Sequence, residues 1–349
     1  MKTNYFLITM LLLLSMTSCS TYYRTTSRVE RDGSMYREIY AQGDSAFIAG
    51  DKTHNPFLFQ PNANWQLVNL DSTIKFNFWG EEEKLNVKAC QKLSGVDGEY
   101  FTVAKGKEHL SAMAIPMERV KKSFRWFYTY YSYTETYPPF SVLTKIPLDH
   151  YLTSEEQTLW FQGNDPAFQG KNGTELCDLL SKIEPKAYLW LNHNLFAESY
   201  AAIDRLLPDH PFKNRFEAAR DSIFRLNQDK YDALDAKLPE MLDNYFKTDY
   251  FSRHGQRIDS LDDPELNHKL DSLDLYEITF QYELLLPGKI LSSNTRQTTA
   301  GKLSWQLDAY RFLPQDYVMT AQSRAINVWA FALTALLLLT ALYFIWKRK

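Results

Sequence analysis

An uncharged apolar run from Val328 to Trp346, followed at once by Lys347-Arg348-Lys349, constrains this chain more than any other feature. Its nineteen residues are interrupted only by Thr334 and Thr340, whose hydroxyls can bond back to the preceding helical turn. At about 1.5 Å per residue such a helix nearly crosses a hydrocarbon core of about 30 Å, and Ala325 to Asn327 can complete the span. Trp329 lies near one end, and Tyr343, Phe344 and Trp346 cluster at the other, where amphipathic rings favour the headgroup layer. The basic triplet is expected to stay in the cytoplasm, which puts everything upstream on the opposite side of the membrane.

The other end reads as an export signal. Lys2 precedes an apolar stretch, Tyr5 to Leu14, too short for a membrane span, and the small residues Thr17 and Ser18 lead to Cys19. This arrangement resembles a bacterial lipoprotein signal, with Met16 where an aliphatic residue is usual, and implies lipidation of Cys19 after cleavage. A plain secretory signal or an uncleaved anchor would also export the body. Outer-membrane proteins span as closed barrels, so an apolar helix points to the inner membrane. The expected layout is a signal peptide over 1–18, a periplasmic body over 19–324, a transmembrane helix over 325–346 and a cytoplasmic tail over 347–349.

Removing Lys2 and the three terminal basic residues from the formal charge of −3 leaves −7 on the body. A mildly acidic body argues against nucleic acid or anionic lipid headgroups as general partners. Beyond Cys19 only Cys90 and Cys177 remain, an even pair in a compartment where disulfides form; they either pair or stay as separate thiols.

Three regions follow one another. Strand patterns occupy Tyr22 to about Phe140: Thr25 to Ala41 around Asp32-Gly33, then Ile74 to Phe78 and Leu85 to Leu93, with a further turn at Asp97-Gly98. Asn55 to Asn64 has neither period and reads as a surface loop. From about 154 to 273 the signal is helical: Thr153 to Glu156 can cap one helix, and Gly173-Thr174-Glu175 opens another through Ile183. Phe216, Ala219, Ile223, Leu226, Leu234, Leu238, Leu242 and Tyr245 make an apolar stripe, with Pro239 starting or kinking a helix. Strands return at Tyr276 to Leu286, Ile290 to Ser293 and Lys302 to Leu307. The fold class is therefore α+β: an antiparallel sheet formed by N- and C-terminal strands, a helical insertion and one C-terminal transmembrane helix; the alternative is two sequential domains, strand-rich and helical.

Leu286-Pro287-Gly288-Lys289-Ile290, then Ser293-Asn294, then Gly301-Lys302-Leu303-Ser304-Trp305, stand just before the terminal helix. Over about residues 275–349 this resembles the closing strands of LppM-type bacterial envelope domains, and the whole chain resembles envelope lipoproteins of Bacteroidetes type. The resemblance implies an envelope domain for which no enzymatic activity is a defining property. Gly288 permits a turn, and Trp305 fills the core or lies at the membrane-proximal edge.

Phe124 to Phe140 carries nine aromatics in seventeen residues. As one strand it puts Phe124, Trp126, Tyr128 and Tyr130 on one face and Phe127, Tyr131 and Tyr133 on the other, as in a central strand covered on both sides. Core packing is the ordinary reading. Trp126, Tyr128, Tyr130 and Tyr133 are the residues that could instead meet a partner or a glycan, with Arg125 or Glu135 supplying hydrogen bonds.

Seven scattered histidines form no HExxH pair, and GxSxG, GxxxxGK[ST] and GxGxxG are absent. The acids Asp259, Asp262, Asp263, Glu265, Asp271 and Asp274 lack the spacing of an EF-hand loop and read as a solvated face. Glu155-Glu156, near Asp149 and His150, is the best acid–base cluster, and an acid-rich helix start explains the same residues. No catalytic residue, cofactor or metal is assigned. The expected function is a non-enzymatic, double-anchored envelope lipoprotein that binds or organises another envelope component; the alternative is a periplasmic glycan-binding module or hydrolase using the 124–140 strand.

Overall fold

The protein is described by a computed structural model over residues 21–78, 81–98, 101–108, 116–141, 143–163, 170–228, 237–259, 263–273, 276, 278–295, 297–299 and 301–348. Cys19 and its leader, Leu234, Asp262 and Asp274 lie outside these residues. The chain divides into two compact units. The first holds the strands and the C-terminal helix; the second is the helical insertion, residues 139–276, with a short return at 310–315.

In the first unit, seven strands form a sheet in the order β10-β11-β8-β1-β2-β4-β3. They are β1 (Thr21–Val29), β2 (Met35–Ala41), β3 (Gln66–Phe78), β4 (Glu81–Leu93), β8 (Ile278–Leu285), β10 (Thr298–Thr299) and β11 (Lys302–Asp308). A second sheet runs β5-β6-β7-β12-β9, with β5 (Asp97–Gly98), β6 (Met117–Arg125), β7 (Tyr128–Tyr137), β9 (Lys289–Ser293) and β12 (Tyr317–Ile326). N- and C-terminal strands share both sheets, as the sequence implies, through β1 with β8 and β7 with β12. The α+β class with antiparallel-rich sheets, a helical segment and one apolar C-terminal helix is what the structure shows, with two refinements. There are two sheets, and β1 and β8 are parallel. A parallel pair needs a long connection between its strands, which the intervening chain provides.

Alternation explains which side of each strand is covered. On β2, Met35, Arg37, Ile39 and Ala41 are buried, and on β12 so are Tyr317, Met319, Ala321, Ser323 and Ala325. The sheets face each other through these positions, since Arg37 of β2 reaches Glu118 of β6 and Tyr282 of β8 reaches Tyr133 of β7. One helical turn, α1 (Ser45–Ile48), is capped by Asp44. The segment Asn55 to Asn64 is no plain surface loop: Phe57, Leu58 and Phe59 are buried in it, and Phe59 bridges to Val103.

In the second unit, α2 (Ser154–Gln157) starts with a Thr153–Glu156 capping box and runs into a π turn at Thr158–Gln162. A second capping box, Asn172–Glu175, opens α3 (Gly173–Leu206), which extends well past Ile183 and through Pro185. A proline inside a helix costs about 3 kcal/mol, and burial of Trp190, Phe196, Tyr200 and Ile203 beyond it offsets that cost. α4 (Lys213–Asn227) and α5 (Leu238–Phe246), with Pro239 in its first turn, bring Phe216, Ile223, Phe224, Leu242 and Phe246 onto α3 in one core. Three short helices complete the unit: α6 (Tyr250–Arg253), α7 (Gly255–Asp259) and α8 (Pro264–Ser272).

The terminal helix, α9 (Val328–Lys347), is long and apolar enough to cross a membrane, and it is almost wholly exposed, with Ala330 its one buried residue. A core helix would be covered. Its start moves from the expected Ala325 to Val328, because Ala325 and Ile326 pair with Thr129 and Tyr128 at the end of β12.

Candidate functional site

The aromatic run is not one strand. β6 ends at Arg125, Trp126 and Phe127 form the turn, and β7 begins at Tyr128. The run therefore bends into a hairpin, which corrects the facing derived for a single strand. Along β7 every second residue, from Thr129 to Tyr137, is buried, while Tyr128 and Tyr130 on the opposite face are half-buried. Trp126 is exposed at the turn. Tyr133 is fully buried with its ring stacked on Tyr282, so no glycan ring can reach it from outside, and Glu135 is buried beside it. The four aromatics singled out in the sequence are thus separated: Tyr133 in the core, Tyr128 and Tyr130 on the outer sheet face, Trp126 at the tip.

The tip lies against the start of α9. Trp126 Nε1 donates to Thr334 Oγ1 at 2.8 Å, Phe124 stacks on Trp329 at 6.1 Å, and Phe127 meets Phe331 at 4.6 Å. A single residue, Asn327, joins β12 to α9. Its backbone N–H donates to Phe127 O at 3.0 Å and its Nδ2 to Arg125 O at 2.9 Å and Trp126 O at 3.2 Å. Its Oδ1 accepts from Thr129 Oγ1 at 2.9 Å. Each such bond contributes about 1 kcal/mol, so strand, hairpin and helix are clasped at one point. Asn327→Ala is expected to raise amide hydrogen exchange at Phe127 to Thr129 by roughly tenfold or more, leaving β1 and β2 unchanged. Unchanged exchange at the hairpin would mean the clasp is not stabilising.

A buried ionic cluster sits between the sheets, and the sequence reading did not find it. Arg37 Nε donates to Ser27 Oγ at 2.8 Å and Nη2 to Tyr282 Oη at 2.6 Å, while Nη1 is ion-paired with Glu118. Glu135 accepts from Tyr133 and, at 2.6 Å, from Tyr137 Oη. A cavity of about 40 Å³, lined in part by Arg37, Glu135, Tyr137 and Tyr282, adjoins the cluster and is large enough for ordered water, not for a metabolite. Burial drives the Tyr133, Tyr137 and Tyr282 hydroxyls far above their ordinary range, so they remain donors. Burial pushes Glu118 up to about 7 against the pull of Arg37, and its Oε2 has no hydrogen-bond partner among the described residues.

That shift has a pH consequence. Unfolded, the Glu118 carboxyl titrates near 4.5; folded, near 7. Between these values the folded form holds the extra proton, so this group's contribution to stability falls as pH rises from 4.5 through 7. Comparing urea unfolding at pH 5 and pH 8, Glu118→Gln is expected to remove a loss of roughly 1 to 3 kcal/mol from the wild-type pH profile. Identical profiles would contradict the assignment.

The other candidates resolve into structural roles. Glu156 caps α2 and bonds Lys186 Nζ at 2.6 Å, which holds its carboxyl below the usual range, while Asp149 and His150 are exposed and join no cluster with it. Asp263 caps α8 and pairs with Arg205 at 2.6 Å, and no metal-binding group of acids, histidines or cysteines occurs among the described residues. His193, missed in the sequence, stacks on Phe224 at 4.1 Å and bonds Tyr151 Oη at 2.7 Å; burial lowers its pKa. Cys90, buried in β4, and Cys177, exposed on α3, are both free thiols. The residues behind the envelope-domain resemblance meet in space: Asn294 Oδ1 accepts from Trp305 Nε1 at 3.1 Å and from Thr320 N at 2.9 Å, tying β11 to β12, and Trp305 is buried.

No protein-family model matches the chain, and no curated protein matches it significantly. Among solved structures, the chain is similar to the folded domain of LppM from Mycobacterium tuberculosis over 88% of this chain and 91% of that one, at 9% identity and a TM-score of 0.23. At that identity and score the likeness carries neither fold nor function to this chain.

Proposed function

We propose that this is a non-enzymatic envelope protein of the inner membrane, anchored by α9 and by a lipid on Cys19, whose periplasmic body binds or organises another envelope component. The observation that supports it best is the junction at Asn327: β12 passes into the apolar helix with no linker, and the hairpin braces the first two helical turns. A body on a flexible linker would sample a large volume above the membrane; a clasped one presents a fixed face at a fixed height. The non-enzymatic reading is supported by Glu156, Asp263 and His193, which are engaged in caps, ion pairs and core hydrogen bonds.

Palmitate labelling and alkaline carbonate extraction test the anchors. Cys19→Ala is expected to lose the label yet stay in the membrane through α9, and a chain ending at Asn327 to stay through the lipid. Carbonate release of Cys19→Ala would remove the transmembrane helix from the account; label retained in that variant would remove the lipid anchor.

A further inference from the structure

The outer face of the five-stranded sheet carries a group of basic side chains. Strand register puts Lys121 and Arg125 of β6, Arg324 of β12 and Lys289 of β9 on the same face as Tyr128 and Tyr130. Arg119 also lies there, bound to Asp97 at 2.8 Å. Among the described residues, the other four have no carboxylate partner in an ion pair, and Arg324 instead lies over the Tyr128 ring at 4.9 Å. Four cations without a carboxylate partner on one sheet face of an otherwise acidic body make a local site for an anion.

Depth comes from a separate observation. Thr334 is the seventh residue of α9, about 9 Å along the helix from Val328 at 1.5 Å per residue. The Trp126 contact therefore brings the hairpin tip level with the second helical turn, inside the zone where the apolar run enters the bilayer. There Phe124, 56% exposed, and Trp126, 44% exposed, present rings that water would disfavour. Arg125 adjoins Trp126, and Arg324 stands opposite both Tyr130 and Lys289, so three of the cations lie at the strand ends next to this layer.

We propose that the β6–β7 hairpin is a second membrane-contact element: its aromatic tip seats among the lipid headgroups beside α9, and Arg125, Arg324 and Lys289 engage the phosphates of acidic phospholipids. The inference rests on α9 crossing the membrane. Cations held near an anionic surface add to one another, so a several-fold lipid preference is expected.

The test uses the full chain in vesicles of phosphatidylcholine containing phosphatidylglycerol. With spin-labelled lipids, the wild type is expected to immobilise phosphatidylglycerol several-fold more than phosphatidylcholine, and the Arg125→Gln, Lys289→Gln, Arg324→Gln variant to treat them alike. Arg125→Lys with Arg324→Lys keeps the charge and is expected to keep the preference, which separates loss of recognition from loss of fold. A nitroxide at Ser123→Cys, with Cys19 and Cys177 replaced by serine, is expected to be shielded from an aqueous nickel chelate. Equal immobilisation of the two lipids by the wild type, an unchanged preference in the triple glutamine variant, or a fully accessible nitroxide would overturn the proposal while leaving the anchors intact. A chain that carbonate strips from these vesicles would overturn both readings at their shared premise.

Discussion

Replacing Arg37 by methionine is expected to destabilise the two-sheet unit by about 3 to 5 kcal/mol, the cost of leaving a partner charge buried alone. Arg37 is about 1% exposed, and its guanidinium contacts Ser27, Tyr282 and Glu118 from within the sandwich. Methionine fills much of the volume but donates nothing, so Glu118, and Glu135 at 3.9 Å from Arg37, lose the cation that pairs with both among the described residues. Lysine should not rescue it, because one ammonium cannot replace a planar fork bonded on several sides. Since the chain has two units, the readout must be local: amide exchange in β2 and β6 under increasing urea, with α3 and α4 as the internal reference. Combining Arg37→Met with Glu118→Leu and Glu135→Leu should recover much of the loss if the charges fix the fit of the sheets and the remainder is packing. A wild-type exchange pattern in Arg37→Met would mean that the cluster is not under the stated electrostatic tension.

Gly288→Ala is the second large effect. Gly288 has φ +80°, where an L side chain costs about 1 to 3 kcal/mol, and a Cβ there would lie 2.2 Å from Arg324 O and 2.7 Å from Ala325 Cα. Both atoms are backbone of β12, so the neighbour cannot swing aside. Gly95 supplies the control: its φ is +78°, yet among the described residues a Cβ would meet nothing within 4 Å. Gly95→Ala should cost only the conformational part. Gly288→Ala should cost at least about 2 kcal/mol more, and it should loosen the end of β12 that feeds the membrane helix. Thermal unfolding and exchange at Ser323 to Asn327 measure this, and equal losses in the two variants would show that the close approach is absent.

How much of this was legible in the sequence depends on the range of the interaction. α9 was, because nineteen consecutive residues carry the signal and burial in the fold does not compete with it. So was the Thr153–Glu156 cap, whose partners lie three residues apart, whereas Asn172, which caps α3, stands just before the Gly173-Thr174-Glu175 start read from the sequence. The hairpin was not: aromatic alternation continues through Arg125-Trp126-Phe127, a turn with no glycine, proline, asparagine or aspartate to mark it. β12 escaped because its inward positions include the small residues Ala321, Ser323 and Ala325, which give little hydrophobic contrast, and its last residues were read as the start of the helix. The ionic cluster joins Arg37, Glu118, Glu135 and Tyr282 across hundreds of residues. One local sign existed, a charge at the inward phase of β2 between Met35 and Ile39, but its partners could be named only once the two sheets were brought face to face.

The central claim, a body held outside the cytoplasm by a helix that continues its own sheet, is tested most directly at Cys177. This thiol is free and exposed on α3, whereas Cys90 is buried and should stay silent. In cells whose outer membrane alone is permeabilised, a membrane-impermeant maleimide is expected to label Cys177 to the extent seen in the detergent-solubilised protein. A cysteine added after Lys349 should label only when the inner membrane is also opened. The reverse pattern, with Cys177 protected and the added cysteine reactive, would contradict the account.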